Sequence, residues 1–339
     1  MLDLAPVAVQ HLWLFGAAFT SAVLLIRLLM IATPLRLRQV PGTSIYFAGV
    51  TVVTVTAVLA AVVLPDPRLA TGLLATALLV MIFGILDERY FLPPLRQLLA
   101  QVVIAVIAVA SGWIITHVTD PFGAGILQLT GVSGLMTVVA LVATVAWLIL
   151  LMNAMNWIDG SDGLAGGVGF IALATLAVIS LLPQTQDPIT FGLAVVGAGS
   201  IAGFLIWNAP PARVYLGTVG SWWLGLYIGL VAIVGGGKVA TALLVLALPV
   251  IDAIWVMVQR ALARQSLWRG DTRHLHHRLL AAGYSPRTIF AGALIVSAAL
   301  GLAAVKLQTQ HKLIALVIAG SMIVLGSIYL ILRNDQVSS

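Results

Sequence analysis

Three polar clusters interrupt a chain that otherwise uses charge sparingly. The densest runs from Asn153 to Gly163 (Asn-Ala-Met-Asn-Trp-Ile-Asp-Gly-Ser-Asp-Gly), directly after the apolar stretch from Leu135 to Met152. Asn153, Asn156, Asp159 and Asp162 recur every third residue, so on a helix their carboxamides and carboxylates form one slowly drifting stripe. Hard oxygen ligands of this kind suit magnesium, or manganese in its place. Magnesium takes few protein ligands and lets substrate phosphates complete its octahedron. Gly160 and Gly163 allow a ligand close to the backbone. The plainer alternative is a polar helix end capped by Asp and Gly, but four amide or carboxylate groups in register exceed what a cap needs.

The second cluster is Asp87-Glu88, which contains the only glutamate in the chain. Adjacent acids at a membrane surface suggest shared metal or proton work; the alternative is an interfacial helix end neutralised by Arg89. The third is Asp271-Thr272-Arg273-His274-Leu275-His276-His277-Arg278. Its imidazoles and guanidiniums suit a diphosphate or a phosphate leaving group. Zinc would need a spaced second set, and His11, His117 and His311 fall outside or within apolar stretches. A solvated basic loop would also account for the run.

The elements that position these clusters are apolar. Hydrophobic residues make up 61% and charged residues 8% of the 339, and mean hydropathy is +1.11, so most of the chain cannot be an aqueous globule. Stretches long enough to cross a bilayer, roughly 17–25 residues each, begin near positions 8, 45, 69, 95, 132, 164, 188, 217, 239, 288 and 312. The expectation is an all-α polytopic protein, a single transmembrane domain over 1–339 with about eleven spans and a polar loop at 259–287. The first stretch follows Met-Leu-Asp-Leu without a basic leader, so it reads as a retained helix. An odd number of spans puts the termini on opposite sides. With the N-terminus outside and the C-terminus cytoplasmic, all the basic residues except Arg68, Lys238, Lys306 and Lys312 lie inside, as the positive-inside bias requires. The net charge of +6 is then mostly a topology signal, and no nucleic-acid partner is expected. The chain has no cysteine, which excludes thiolate chemistry.

On this topology Asp87-Glu88, Asn153–Asp162, Asn208–Arg213 and the histidine run all emerge on the cytoplasmic face. A transporter would more often place its ionisable groups near the midplane; an enzyme joining a cytosolic substrate to a lipid fits better. Asp252 alone stands inside a span, where a hydrogen bond or ion pair to a neighbouring helix or to the histidine loop is expected.

The chain resembles the polyprenyl-phosphate N-acetylhexosamine-1-phosphate transferases, over about Pro34 to Pro286. The family run Asn-x-x-Asn-x-x-Asp-Gly-x-Asp-Gly-Leu-Ala stands complete at Asn153–Ala165, and His-x-His-His-Arg-Leu at His274–Leu279, preceded by the matching Asp271. Gly203-Phe204-Leu205 with Asn208 and Pro210 also match, as do Gly217, Gly220-Ser221 and Leu224-Gly225. The histidine element is most similar to the N-acetylglucosamine-1-phosphate branch. The resemblance implies transfer of a sugar 1-phosphate from a UDP-N-acetylhexosamine to undecaprenyl phosphate with release of UMP, in a bacterial inner membrane, on its cytoplasmic face. It implies that Asp159, Gly160, Ser161 and Asp162 cradle the uridine, with Asn153 and Asn208 beside them, and that Tyr215 stacks on the uracil. By the same resemblance Asn156 and Asp87 hold magnesium, Asp87 with Glu88 assists at the lipid phosphate, and His274, His276, His277 and Arg278 bind the diphosphate. Asp87, Glu88, Asp159 and Asp162 are the catalytic candidates.

Departures accompany the match. Thr218 stands where the family carries an acid used at magnesium, and Glu88 replaces the second Asp of a pair. In the first cytoplasmic loop little beyond Pro34, Arg38 and Gly49 remains, with Val40 where a histidine is usual. Two possibilities follow: an active transferase lacking one metal ligand, or a relative that binds UDP-sugar or polyprenyl phosphate without turnover. The sugar and the glycan pathway are not written in the sequence. A homodimer stays open, because a helix face toward lipid and one toward a partner look alike.

Overall fold

The computed structural model describes residues 5–32, 47–120, 125–234, 238–264 and 273–338. Asp271 and the first-loop positions Pro34, Arg38 and Val40 lie outside them. The helices are α1 (Ala5–Ala32), α2 (Phe47–Val63), α3 (Pro67–Tyr90), α4 (Pro94–Ala110), α5 (Gly134–Ile158), α6 (Leu164–Ser180), α7 (Pro188–Asn208), α8 (Gly217–Ile233), α9 (Val239–Val245), α10 (Ala247–Leu262), α11 (Leu275–Ala281), α12 (Pro286–Lys306) and α13 (Thr309–Ser338). A short antiparallel hairpin, β1 (His117–Thr119) with β2 (Ile126–Gln128), lies between α4 and α5, in register His117 opposite Gln128.

This is an all-α polytopic membrane protein. Six helices are long and apolar enough to cross a bilayer, α9 with α10 makes a bent seventh, and α2, α4, α6 and α8 are shorter apolar helices of 17 residues. Together they account for the eleven apolar segments expected. The ninth differs from a continuous span, because α9 and α10 meet at 78°. Pro249, in the first turn of α10, has no N–H to offer the carbonyl of Val245, so the helix cannot run through the junction. The polar stretch 259–287 also differs from a plain loop: α10 reaches Leu262, and α11 occupies 275–281 with His276 and Arg278 buried.

Local sequence explains several starts. Asp66-Pro67, Asp187-Pro188 and Ser285-Pro286 each place a side-chain acceptor at the N-cap and proline at the first helical position, where its missing N–H costs nothing. The centre of the bundle is α8, buried from Val219 to Ile233. Its neighbours approach closely where side chains are absent. A Cβ on Gly225 would stand 2.2 Å from the Leu151 carbonyl oxygen of α5, and one on Gly84 of α3 would stand 2.8 Å from the Cα of Val219. Toward the outside the pattern inverts: Leu28, Ile295, Val317 and Met322 are exposed, as suits a hydrocarbon solvent.

At the end of the bundle opposite the polar clusters, Lys238 Nζ lies 2.8 Å from Asp187 Oδ2, both side chains largely buried. Asp187 also accepts from the backbone N–H and the hydroxyl of Thr190. Burial alone would raise the Asp187 carboxyl, but the bonds from Lys238 and Thr190 outweigh it and hold the group below the ordinary carboxylate range. Lys238→Met leaves that charge without its cation and is expected to cost about 3–5 kcal/mol, as for other broken buried pairs, read as a lower unfolding midpoint in detergent. Because the folded pKa is depressed, the wild-type contribution is present above the ordinary carboxylate pKa and fades as pH falls through the folded value, so the gap between wild type and variant closes in acid.

Candidate functional site

The amino end of α8 collects the polar ends of its neighbours. α3 delivers Asp87 and Glu88 in its last turn, and the Gly84 contact one turn earlier sets them against residues 217–219. Thr218 Oγ1 donates to Asp87 Oδ2 at 2.7 Å, and Gln97 Nε2 of α4 donates to Asp87 Oδ1 at 2.8 Å. The Val219 N–H donates to Glu88 Oε1 at 3.2 Å, and the Thr218 N–H also faces this carboxylate. Asp159 takes the Gly217 N–H and lies within electrostatic reach of Glu88. One helix start thus holds three carboxylates, the sign its unpaired N–H groups favour. Thr218, singled out as a departure, sits within hydrogen-bond reach of Asp87.

The expected stripe along α5 divides. The helix ends at Ile158, Asp159 occupies the cap, and Gly163 takes φ +74, a left-handed conformation that glycine adopts freely. Asn153 and Asn156 therefore stay helical while Asp159 and Asp162 lie in the turn. Asn153 pairs its carboxamide with that of Gln101 on α4 (2.6 and 3.4 Å) and donates to the Ile149 carbonyl, which makes it a clamp between α4 and α5. Asn156 Nδ2 donates to Ser221 Oγ at 2.9 Å, one turn into α8. Asp162 Oδ2 accepts from the Ala212 N–H at 2.9 Å, and Asn208 joins the same two segments through Gly163 N–H (3.1 Å) and the Val214 carbonyl (2.8 Å). These bonds stitch the 159–163 turn to residues 209–216, from which Tyr215 projects into the open with 48% of its surface exposed. Ser161 and Gly160 lie in the turn itself.

The histidine run reaches the same turn. Asp252 of α10, 3% exposed, accepts from the Leu275 N–H at 2.9 Å and pairs with His274 Nδ1 at 2.8 Å, so it secures the start of α11. The hydrogen bond expected of that intramembrane acid is therefore present. His274 faces Trp157 at 5.7 Å between ring centroids, and His276 lies 4.1 Å from His277. His276 Nε2 stands 2.6 Å from where a Cβ on Gly160 would be, so only glycine lets the two segments meet. The His276 ring is buried, and among the described residues neither nitrogen has a hydrogen-bond partner. Burial, then the neighbouring His277 and His274, pushes it down to about 4 against the pull of Asp252, so it is neutral at pH 7. Arg278 donates to Ser327 of α13 and to Gln259 Oε1 of α10, anchoring α11. Behind α11 lies an apolar cavity of about 360 Å³, walled by Leu248, Leu275, Leu279, Ile289 and Val296, with Asp252 and His276 as polar points.

The donors around residues 217–219 are all oxygen, the class that magnesium takes. Among the described residues no three of His, Cys, Asp or Glu form a ready metal group, which is compatible with an ion held by one or two carboxylates and completed by substrate phosphates. Gln97, Gln101 and Ser221 were not among the residues expected here. The only signal for the first two is their spacing of four on a helix that is otherwise apolar but for Arg96.

A family model described as glycosyl transferase family 4 matches residues 70–236. Among curated proteins the chain is 30% identical over 252 residues to the "Probable undecaprenyl-phosphate N-acetylglucosaminyl 1-phosphate transferase" of Bacillus subtilis, covering 73% of this chain and 66% of that protein. It is 31% identical over 232 residues to the decaprenyl-phosphate N-acetylglucosaminephosphotransferase of Mycolicibacterium smegmatis (62% and 56%). It is 37% identical over 81 residues to the undecaprenyl-phosphate alpha-N-acetylglucosaminyl 1-phosphate transferase of Thermotoga maritima (24% and 28%). The chain spans at most about two thirds of the length of these relatives.

Burial, with the charge of Glu88 added, raises the Asp159 carboxyl well above its ordinary range, against the Gly217 N–H. An acid with a raised folded pKa is unpenalised in acid and loses stability as pH rises from its unfolded to its folded value. Asp159→Asn is therefore expected to unfold at a higher temperature than wild type near neutral pH, with the difference vanishing as pH falls below the ordinary carboxylate range. Thermal unfolding in detergent across that range checks it.

Proposed function

We infer, from the match to glycosyl transferase family 4 over residues 70–236 and from the relatives it resembles, that this chain moves an N-acetylhexosamine 1-phosphate from a UDP-sugar to a polyprenyl phosphate, releasing UMP. The observation that carries this reading is the convergence of Asp87, Glu88, Asp159 and Asn156 on the start of α8, with His276 against Gly160. An oxygen of the lipid phosphate attacks the sugar-bearing phosphorus in line, and the bond to the bridging oxygen of UMP breaks. That lipid phosphate is already largely anionic, so positioning and charge neutralisation matter more than a strong base.

The stitched pair of segments, 159–163 and 209–216, is suited to the nucleoside, with Tyr215 free to stack on a base. Asp87 and Asn156 would hold magnesium, or manganese, which supplies charge neutralisation at the diphosphate. His276, uncharged, offers a hydrogen bond rather than a cation, and the apolar cavity behind it suits prenyl hydrocarbon. The bias of basic residues supports a cytoplasmic position for this end of the bundle, and the bacterial sources of the relatives support an inner-membrane location. The donor substrate is then a UDP-N-acetylhexosamine, and N-acetylglucosamine is the first to test because the relatives' names carry it.

Purified protein in detergent, given undecaprenyl phosphate and a panel of UDP-sugars, is expected to release UMP only when lipid and magnesium are both present. Asp87→Asn is expected to lower kcat on the order of 10²-fold or more, as loss of a transition-state contact does. Thr218→Asp is expected to lower the magnesium concentration for half-maximal rate. Silence across the panel, in protein that binds UDP-sugar, moves the assignment to a binding protein without turnover.

A further inference from the structure

The three carboxylates at the start of α8 are each held by neutral donors of the protein. Asp87 has Thr218 Oγ1 on one oxygen and Gln97 Nε2 on the other, at 2.7 and 2.8 Å. Glu88 has the Val219 N–H, and Asp159 has the Gly217 N–H. Gln97 is fixed in turn by a second bond, 3.0 Å to the Leu92 carbonyl, so it cannot swing away without breaking two contacts. An acid at position 218 would place a further charge beside Asp87 and require a cation between them. Threonine closes the same gap with a hydrogen bond.

Two consequences follow. A lone divalent cation meets no group of three His, Cys, Asp or Glu side chains among the described residues, and to bind at Asp87 it must displace the Thr218 and Gln97 donors that already satisfy both oxygens. A lone diphosphate meets a helix start whose N–H groups are taken by acidic side chains, and beside it the Asp87 carboxylate, which repels it. The cation supplies what the diphosphate lacks, and the diphosphate supplies the oxygens that complete the cation's shell.

We propose that this site admits a divalent cation and a nucleotide diphosphate only together, and that Thr218 and Gln97 are the positioning residues that keep the cation out until the nucleotide arrives. The proposal rests on the transferase reading for the identity of the anion. Linkage makes the coupling reciprocal: bound UDP strengthens the cation's affinity by the same factor as the cation strengthens that of UDP.

The test uses purified full-length protein in detergent, with Mn²⁺ as a paramagnetic probe and UDP as the nucleotide. Protein-bound Mn²⁺ is read by electron paramagnetic resonance at buffered free Mn²⁺, with and without UDP, and UDP binding is read by calorimetry with and without Mn²⁺. Wild type is expected to show reciprocal strengthening of at least about tenfold, within the usual range of such couplings. Thr218→Asp should bind Mn²⁺ without UDP and lose most of the coupling; Thr218→Val, which keeps the shape but frees one Asp87 oxygen, should fall between; Thr218→Ser should restore the wild-type behaviour. A role in folding alone would shift the unfolding midpoint of these variants without shifting the coupling factor. Equal Mn²⁺ affinity with and without UDP in wild type overturns the proposal while leaving the transferase reading intact, and so does a Thr218→Asp variant, folded by size exclusion, whose Mn²⁺ affinity is unchanged. UDP that fails to bind under either condition overturns the nucleotide reading and the coupling with it.

Discussion

Three carboxylates share one helix start, and much of the architecture near α8 serves to make that tolerable. Asp87, Glu88 and Asp159 come from two helices that end where α8 begins, and close approach of like charges in a partly dry environment is costly. The cost is offset by N–H groups that have no partner within their own helix, by the Thr218 hydroxyl and by the Gln97 amide. At Asp159, burial and then the charge of Glu88 raise the carboxyl against the Gly217 N–H, which shifts it toward its neutral form. Such an arrangement is poorly suited to stability for its own sake.

The bundle reaches this geometry by removing side chains where backbones must meet. Gly84 and Gly225 let α3 and α5 lie against α8 at distances that no Cβ would allow, and Gly160 does the same for His276. The bend between α9 and α10 then serves a purpose that a straight span could not. It carries Asp252 under α11, where one carboxylate fixes both the first backbone N–H of that short helix and the ring of His274. Seven residues are too few to hold a helix alone, so α11 depends on Asp252 at one end and on the Arg278 contacts with Ser327 and Gln259 at the other.

Much of this was legible in the residues. Apolar length marked the eleven segments. The Asn-Asp run, Asp87-Glu88 and the histidine element marked the ends that converge. What was not legible follows from a limit of spacing arguments. A repeat of three reads as one stripe only while the helix continues, and Gly160 and Gly163 end it after Ile158, so the four polar groups face four different partners. Gln97 and Gln101 were missed because a glutamine in an apolar helix carries no mark of its partner. Only tertiary packing brings Gln97 to Asp87 and Gln101 to Asn153.

Charge accounting in α11 separates this site from a simple cationic clamp. The sequence offers three histidines and two arginines, enough to face a diphosphate. The structure keeps His276 uncharged between its neighbours and commits Arg278 to α13 and α10. His274 is bound to Asp252, so any positive charge it carries is already matched. The histidine element thus serves in part to anchor α11, with His276 as an uncharged group set against Gly160.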